Sequence, residues 1–214
     1  MTTAEHPEVA RLIEVMATLR VKCPWDAEQT HRSLVQYLLE EAHETVEAIE
    51  SGDQDHLREE LGDLLLQVIF HAGIAAERAD GFDLEDVARG VADKLIERHP
   101  YVFAGHVVPA DLNGSWEQRK AVEKGRRSVL EGIPEQMSAM SRANKIISRS
   151  RSRQVHLVLD DAPIEAAEVG RAMLSLTARA QACGIDPEQA LRDAVRELER
   201  QVQAAESDQT ARKT

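Results

Sequence analysis

Val9, Leu12, Ile13, Met16 and Leu19 recur at helical spacing, and the run stops at Cys23-Pro24-Trp25-Asp26, where proline disfavours continuation. The pattern predicts a first helix followed by a loop. A second stripe of Val35, Leu38, Leu39, Ala42, Val46 and Ile49 ends at Ser51-Gly52-Asp53, which reads as a C-terminal stop followed by the cap of the next helix. From about Gln54 the apolar set Leu57, Leu61, Leu64, Leu65, Val68, Ile69 and Ala72 predicts a third helix, running to the break at Ala79-Asp80-Gly81. The turn between the second and third is short, so they are expected to lie antiparallel. A fourth helix opens with Asp83 as N-cap, carries Val87, Val91 and Leu95, and closes before His99-Pro100. A loop and a short helix near 115–123 follow.

The charged, glycine-flanked segment from Gly125 to Gly132 marks the end of the first half. The remainder keeps a helical pattern, but all of the aromatic residues lie at or before Trp116, leaving only aliphatic side chains for a core. Packing there is expected to depend on the first half or on a partner chain. The composition, rich in Ala, Leu, Glu and Arg and poor in aromatics and Gly, favours an all-α fold.

A formal charge of −12 argues against broad binding to nucleic acid, which depends on a basic surface. It leaves room for small phosphorylated ligands bridged to carboxylates by a multivalent cation. Cys23 and Cys183 form no disulfide framework or zinc signature, and the N-terminus has neither a basic start nor an apolar signal core. The longest apolar stretch, 64–76, is interrupted by Gln67 and His71 and falls short of the roughly 20 residues of a bilayer span. A soluble, cytoplasmic protein without a membrane partner is expected.

The chemistry concentrates in Glu40-Glu41-Ala42-His43-Glu44 on the second helix and Glu60-Leu61-Gly62-Asp63 on the third. Carboxylates three residues apart lie about 60° apart around a helix and about 4.5 Å along it, so each pair faces one way. Two such pairs on antiparallel neighbours can converge on a hard cation such as Mg²⁺ or Mn²⁺. Solvation of helix faces is the bland alternative. Against it, Glu60 and Asp63 interrupt a strongly apolar helix, where an unpaired charge is costly. Gly62 costs about 1 kcal/mol relative to Ala and is read as allowing close helix approach. Lys94 and Arg98, one turn apart, can grip phosphates or pair with surface acids, and Trp116 and Lys120 share that spacing. Trp25 can stack on a base or anchor its loop.

Taken together, Cys23-Pro24-Trp25-Asp26 with Glu28-Gln29-Thr30, the Glu-Glu-x-x-Glu at 40, 41 and 44, the Glu-x-x-Asp at 60 and 63, the stretch from Asp93-Lys94-Leu95 to Arg98-His99-Pro100, Val102-Phe103 and Trp116-Glu117-Gln118 resemble the MazG family of nucleoside triphosphate pyrophosphohydrolases over roughly residues 9–125. The resemblance implies a helical bundle of the all-α NTP pyrophosphatase type that assembles as a homodimer or higher homo-oligomer. It implies hydrolysis of NTPs or dNTPs, noncanonical ones included, to nucleoside monophosphate and pyrophosphate. By the same analogy Glu41, Glu44, Glu60 and Asp63 are Mg²⁺ ligands, and Glu40 is an outer-shell or second-metal residue. Lys94, Arg98 and Lys120 map to phosphate-side cations, and Trp25 and Trp116 to positions near the nucleotide. Relatives commonly carry a longer glycine-containing loop before Cys-Pro-Trp-Asp, whereas here Leu19-Arg20-Val21-Lys22 leads straight in.

The chain therefore divides into a catalytic helical domain over 1–125, a helical linker over 126–160, a degenerate helical hairpin over 161–205 and a polar tail over 206–214. The hairpin reads as a worn second copy. Glu168-Val169-Gly170-Arg171 aligns with Glu60 to Asp63, and Ile185-Asp186-Pro187-Glu188 with Phe82 to Glu85. Asp63 is then matched by Arg171, Lys94 by Glu197 and Arg98 by Gln201, so that copy has lost its chemistry. Arg149, Arg151 and Arg153 are expected to be a solvated basic run.

Two rival readings remain. Glu28-x-x-His31 and Glu40-x-x-His43 have the motif of a ferritin-like di-iron bundle, although they lie only twelve positions apart. A noncatalytic helical adaptor that binds nucleotides or a protein partner is the other. The intact carboxylate set argues against it.

Overall fold

A computed structural model describes residues 6–211 of the chain, and every helix or strand assigned among them is a helix. The all-α expectation is met. The chain divides into two compact units, Met1–Glu97 and Arg98–Thr214.

The first unit comprises α1 (Pro7–Lys22), α2 (Pro24–Glu28), α3 (Val35–Ser51), α4 (Gln54–Ala76) and α5 (Leu84–Arg98), the last residue of α5 falling in the second unit. Its centre is the α3–α4 hairpin. Gly52 closes α3 in the left-handed region at φ 75°, a conformation that suits glycine. Asp53 then caps α4 by accepting from the backbone N–H groups of Asp55 and His56. Both caps fall where the sequence placed them. Met16 of α1, Leu34, and Ile69 and Phe70 of α4 form the buried core, with Leu12, Ile13, Tyr37, Leu66, Ile74 and Leu84 packed around it. Asp83 begins α5 by accepting from Asp86 N–H, as expected.

Two local expectations need correction. Cys23-Pro24-Trp25-Asp26 is not a loop: proline is tolerated at the first helical position, and Pro24 starts the short α2. Gly62 serves no close packing within the chain's described residues, because a Cβ there would meet nothing among them within 4 Å.

The second unit contains α6 (Pro100–Phe103), α7 (Leu112–Glu123), α8 (Ala139–Ser152), α9 (Ala166–Ala182) and α10 (Pro187–Ala211). Val129, Ile133, Ile146, Val155, Val195 and Val202 make its core, so 126–160 pack directly against α10. As expected from composition, that core is wholly aliphatic. Ser138 caps α8 through Ser141 N–H, and α7 lies against α8. Helix α9 packs on α10 but buries none of its residues. Asp186 opens α10 by accepting from Glu188 and Gln189 N–H, the role Asp83 plays for α5. Among the described residues no helix is long and apolar enough to cross a membrane.

Candidate metal centre and substrate-side groups

Antiparallel packing of α3 on α4 brings one oxygen each of Glu41, Glu60 and Asp63 within 4.8 Å of one another. Thr45 ties the helices together here: its hydroxyl donates to Glu41 O at 2.7 Å and lies 3.5 Å from Glu60 O across the interface. Glu60 is buried, 8% exposed, and its Oε1 sits 3.1 Å from His56 Nε2 one turn earlier. Its Oε2 is buried with no hydrogen-bond partner among the described residues. An orphaned carboxylate oxygen beside two further carboxylates is the donor set of a hard cation. Burial raises the Glu41 carboxyl pKa above its ordinary value, and the charges of Asp63, Glu44, Glu60 and Glu40 raise it further. The residues present therefore fit a divalent cation.

Glu44 and Glu40 are exposed on α3 and lie outside the converging set, although both charges act on Glu41. His56 and Thr45 escaped the sequence reading. The i, i+4 spacing of His56 and Glu60 was the one available signal.

Beyond Asp63 the polar face of α4 continues one turn at a time. Gln67 is 5% exposed with its Oε1 unpartnered among the described residues, and His71 Nδ1 meets His31 Nδ1 at 2.8 Å with the rings stacked. His31 meets His71 through Nδ1 and His43 is exposed on α3, and among the described residues neither Glu-x-x-His motif contributes to the cluster of Glu41, Glu60 and Asp63. Trp25 is 51% exposed and makes T-shaped contacts with Tyr37 and Phe70, so it anchors its segment while part of the residue stays exposed. Lys94 is half-buried on α5 in the first unit.

The other substrate-side candidates lie in the second unit. Arg98 is 7% exposed, hydrogen-bonds Glu123 Oε2 through Nε (2.8 Å) and Nη2 (2.5 Å), and stacks over Trp116 at 4.9 Å. Its carboxylate partner therefore lies on α7. Trp116 also packs against His99, ring centroids 4.9 Å apart. Lys120 lies 3.7 Å from Glu117. Burial lowers the Lys120 ammonium pKa; Glu117 opposes that shift, and Lys145, Arg126 and Arg149 add to it. On α10, Glu197 pairs with Arg200 and accepts from Gln201 Nε2 at 3.4 Å.

Residues 29–103 match the profile of the MazG nucleotide pyrophosphohydrolase domain. A nucleoside triphosphate pyrophosphohydrolase/pyrophosphatase MazG from Thermotoga maritima is 37% identical over 210 residues, covering 87% of this chain and 81% of that protein. The chain belongs to the MazG family. An uncharacterised 26.1 kDa protein from Streptomyces cacaoi is 44% identical over 199 residues, covering 91% of this MazG chain and 81% of that protein. A nucleoside triphosphate pyrophosphohydrolase from Mycobacterium tuberculosis is 38% identical over 198 residues, and the chain spans 57% of its length. A crystal structure of a MazG-related protein from Thermotoga maritima aligns at 31% identity over 52% of this chain and 97% of that one, with a TM-score of 0.45.

Proposed function

We propose that this MazG chain is a nucleoside triphosphate pyrophosphohydrolase that cleaves NTPs or dNTPs, noncanonical ones included, to nucleoside monophosphate and pyrophosphate. The observation that carries the reading is the convergence of Glu41, Glu60 and Asp63 around a buried, unpartnered Glu60 oxygen. These three residues would hold Mg²⁺, with Mn²⁺ as the alternative hard cation, and Glu44, exposed one turn along α3, would complete the set. When bound, the cation supplies charge neutralisation to the phosphates and acidifies water. Glu40, exposed and with a charge that acts on Glu41, is read as an outer-shell or second-metal residue. Half-exposed Trp25 is the candidate for stacking on a base; Lys94 in the first unit and, in the second, Arg98, Trp116 and Lys120 are the other candidate substrate-side groups.

The chain works as a homodimer or higher homo-oligomer. Val35, Leu39, Val46 and Ile49 of α3 and Leu61, Leu65 and Val68 of α4 are exposed, and apolar side chains in such numbers on one hairpin suit burial against a second copy. A cytoplasmic role in clearing the nucleotide pool fits the reaction.

Glu60→Ala and Asp63→Ala are each expected to abolish turnover while leaving the helical circular-dichroism signal. Retained activity in either variant sinks the assignment.

A further inference from the structure

We propose that the second unit binds a phosphate-chain oxyanion, inorganic pyrophosphate or the tail of a nucleoside triphosphate, on a cationic cluster built by Lys120, Arg126, Lys145, Arg149 and Arg153. Of these five only Lys120 was drawn in by the family resemblance, and the binding goes beyond the proposed function because it needs neither metal nor turnover.

Lys145, Arg149 and Arg153 occupy successive turns of one face at the C-terminal end of α8, spacing at which like charges repel. Two lie in or just past the last turn, where the helix dipole favours cations, yet that effect does not require burial. Arg149 is only 4% exposed, contrary to the solvated run expected from sequence. Its Nη1 donates to Val129 O at 2.9 Å and Glu131 O at 2.8 Å. Among the described residues its Nε is buried without a hydrogen bond and forms an ion pair with Glu117 Oε2 at 3.6 Å. Arg153 Nη1 is likewise buried without a partner among the described residues, while its Nη2 donates to Arg127 O at 3.4 Å.

Across from this column, α7 contributes Lys120, 3.7 Å from Glu117 Oε1. One carboxylate therefore stands between Lys120 and Arg149, beyond hydrogen-bond length from both. Half-buried Arg126 follows α7, and its guanidinium packs beside Gly132. The charges of Lys145, Arg126 and Arg149 act on Lys120, and those of Arg126 and Arg153 act on Arg149, which places the five groups in one field. No ion pair joins Arg126, Lys145 or Arg153 to a described carboxylate. Elsewhere in this acidic chain arginines such as Arg89, Arg142 and Arg196 each sit on one. Five cations against one shared carboxylate, with two buried guanidinium nitrogens unpartnered, match a multiply charged ligand with several acceptor oxygens. Phosphate chains have that chemistry.

The test is calorimetric titration of the full chain with inorganic pyrophosphate in EDTA at low salt, where no divalent cation can bridge the ligand to the α3–α4 carboxylates. Saturable binding, one per chain and weakened by salt, is expected. Arg126→Gln and Lys145→Gln should each weaken it about fivefold or more, in line with the loss of one charge-assisted bond. Lys145→Arg should restore it, and Arg196→Gln, an exposed cation already paired with Asp193, should leave it unchanged. Binding of nucleoside triphosphate but only weak binding of monophosphate assigns the contact to the phosphate chain. Absence of binding in EDTA, indifference to both Gln substitutions in variants with wild-type circular dichroism, or equal binding of monophosphate overturns the proposal. Asp63→Ala separates the two readings: it should lose turnover and keep metal-free pyrophosphate binding.

Discussion

If the α3–α4 carboxylates form a cation site, removing one charge should stabilise the metal-free protein. Asp63→Asn keeps the size of the side chain and deletes one of three charges whose oxygens lie within 4.8 Å of one another. At that separation two like charges repel by about 3.5 kcal/mol at an effective dielectric of 20 and by about 0.9 kcal/mol in bulk water. The substitution removes two such pairs. Glu41 and Asp63 are half-exposed, so values near the lower limit apply, and the gain is about 2 kcal/mol. For a chain of this length that is about 4–8 °C in Tm. Mg²⁺ at a hundredfold excess over its Kd stabilises the wild type by a similar amount, about 2.7 kcal/mol.

Thermal melts of both proteins in EDTA and in Mg²⁺ measure this. Asp63→Asn is expected to melt above the wild type in EDTA and to lose most of the Mg²⁺ shift. The raised Glu41 carboxyl adds a pH signature. The folded state binds that proton more tightly than the unfolded chain, so metal-free stability falls as pH rises from the ordinary carboxylate value through the raised one. The variant, lacking the Asp63 contribution, should show a shallower fall. A lower Tm for Asp63→Asn in EDTA, or an undiminished Mg²⁺ shift, refutes the reasoning.

Other outcomes follow from single groups. Ile146, fully buried in the aliphatic core of the second unit, should cost about 2–5 kcal/mol when replaced by Ala, seen as a lower urea midpoint; a change under 1 kcal/mol contradicts that core. Burial, and secondarily His31, lowers the His71 pKa, so His71 contributes stability above its ordinary value of 6.5 that is lost as pH falls through the lowered one. His71→Gln should flatten the drop in Tm between pH 7 and 5, and an unchanged slope removes His71 from the account. Leu61→Glu with Leu65→Glu should shift light-scattering mass toward the monomer with helicity retained; an unchanged mass excludes this face as the interface.

The helices were legible because each apolar stripe ends at a residue with its own stop or start chemistry: Gly52 and Asp53 between α3 and α4, Asp83 before α5. Three of the four carboxylates that the spacing aligned do converge, since helical period and an antiparallel turn fix their positions. What stayed hidden depends on partners distant in sequence. The His31–His71 stack spans forty positions, and the burial of Arg149 follows from Val129 and Glu131 folding back onto α8. Arg98 was ambiguous for the same reason, its partner Glu123 lying on another helix. A stretch of arginines carries no mark of which one faces inward. Gly62 misled because its open surroundings give no packing reason for the missing Cβ.

The most direct test of the central claim is product analysis of an NTP incubated with the full chain, with Mg²⁺ and with EDTA. The account predicts nucleoside monophosphate and pyrophosphate in equal amounts with Mg²⁺ and neither in EDTA. Orthophosphate with nucleoside diphosphate, or turnover that persists in EDTA, would contradict it.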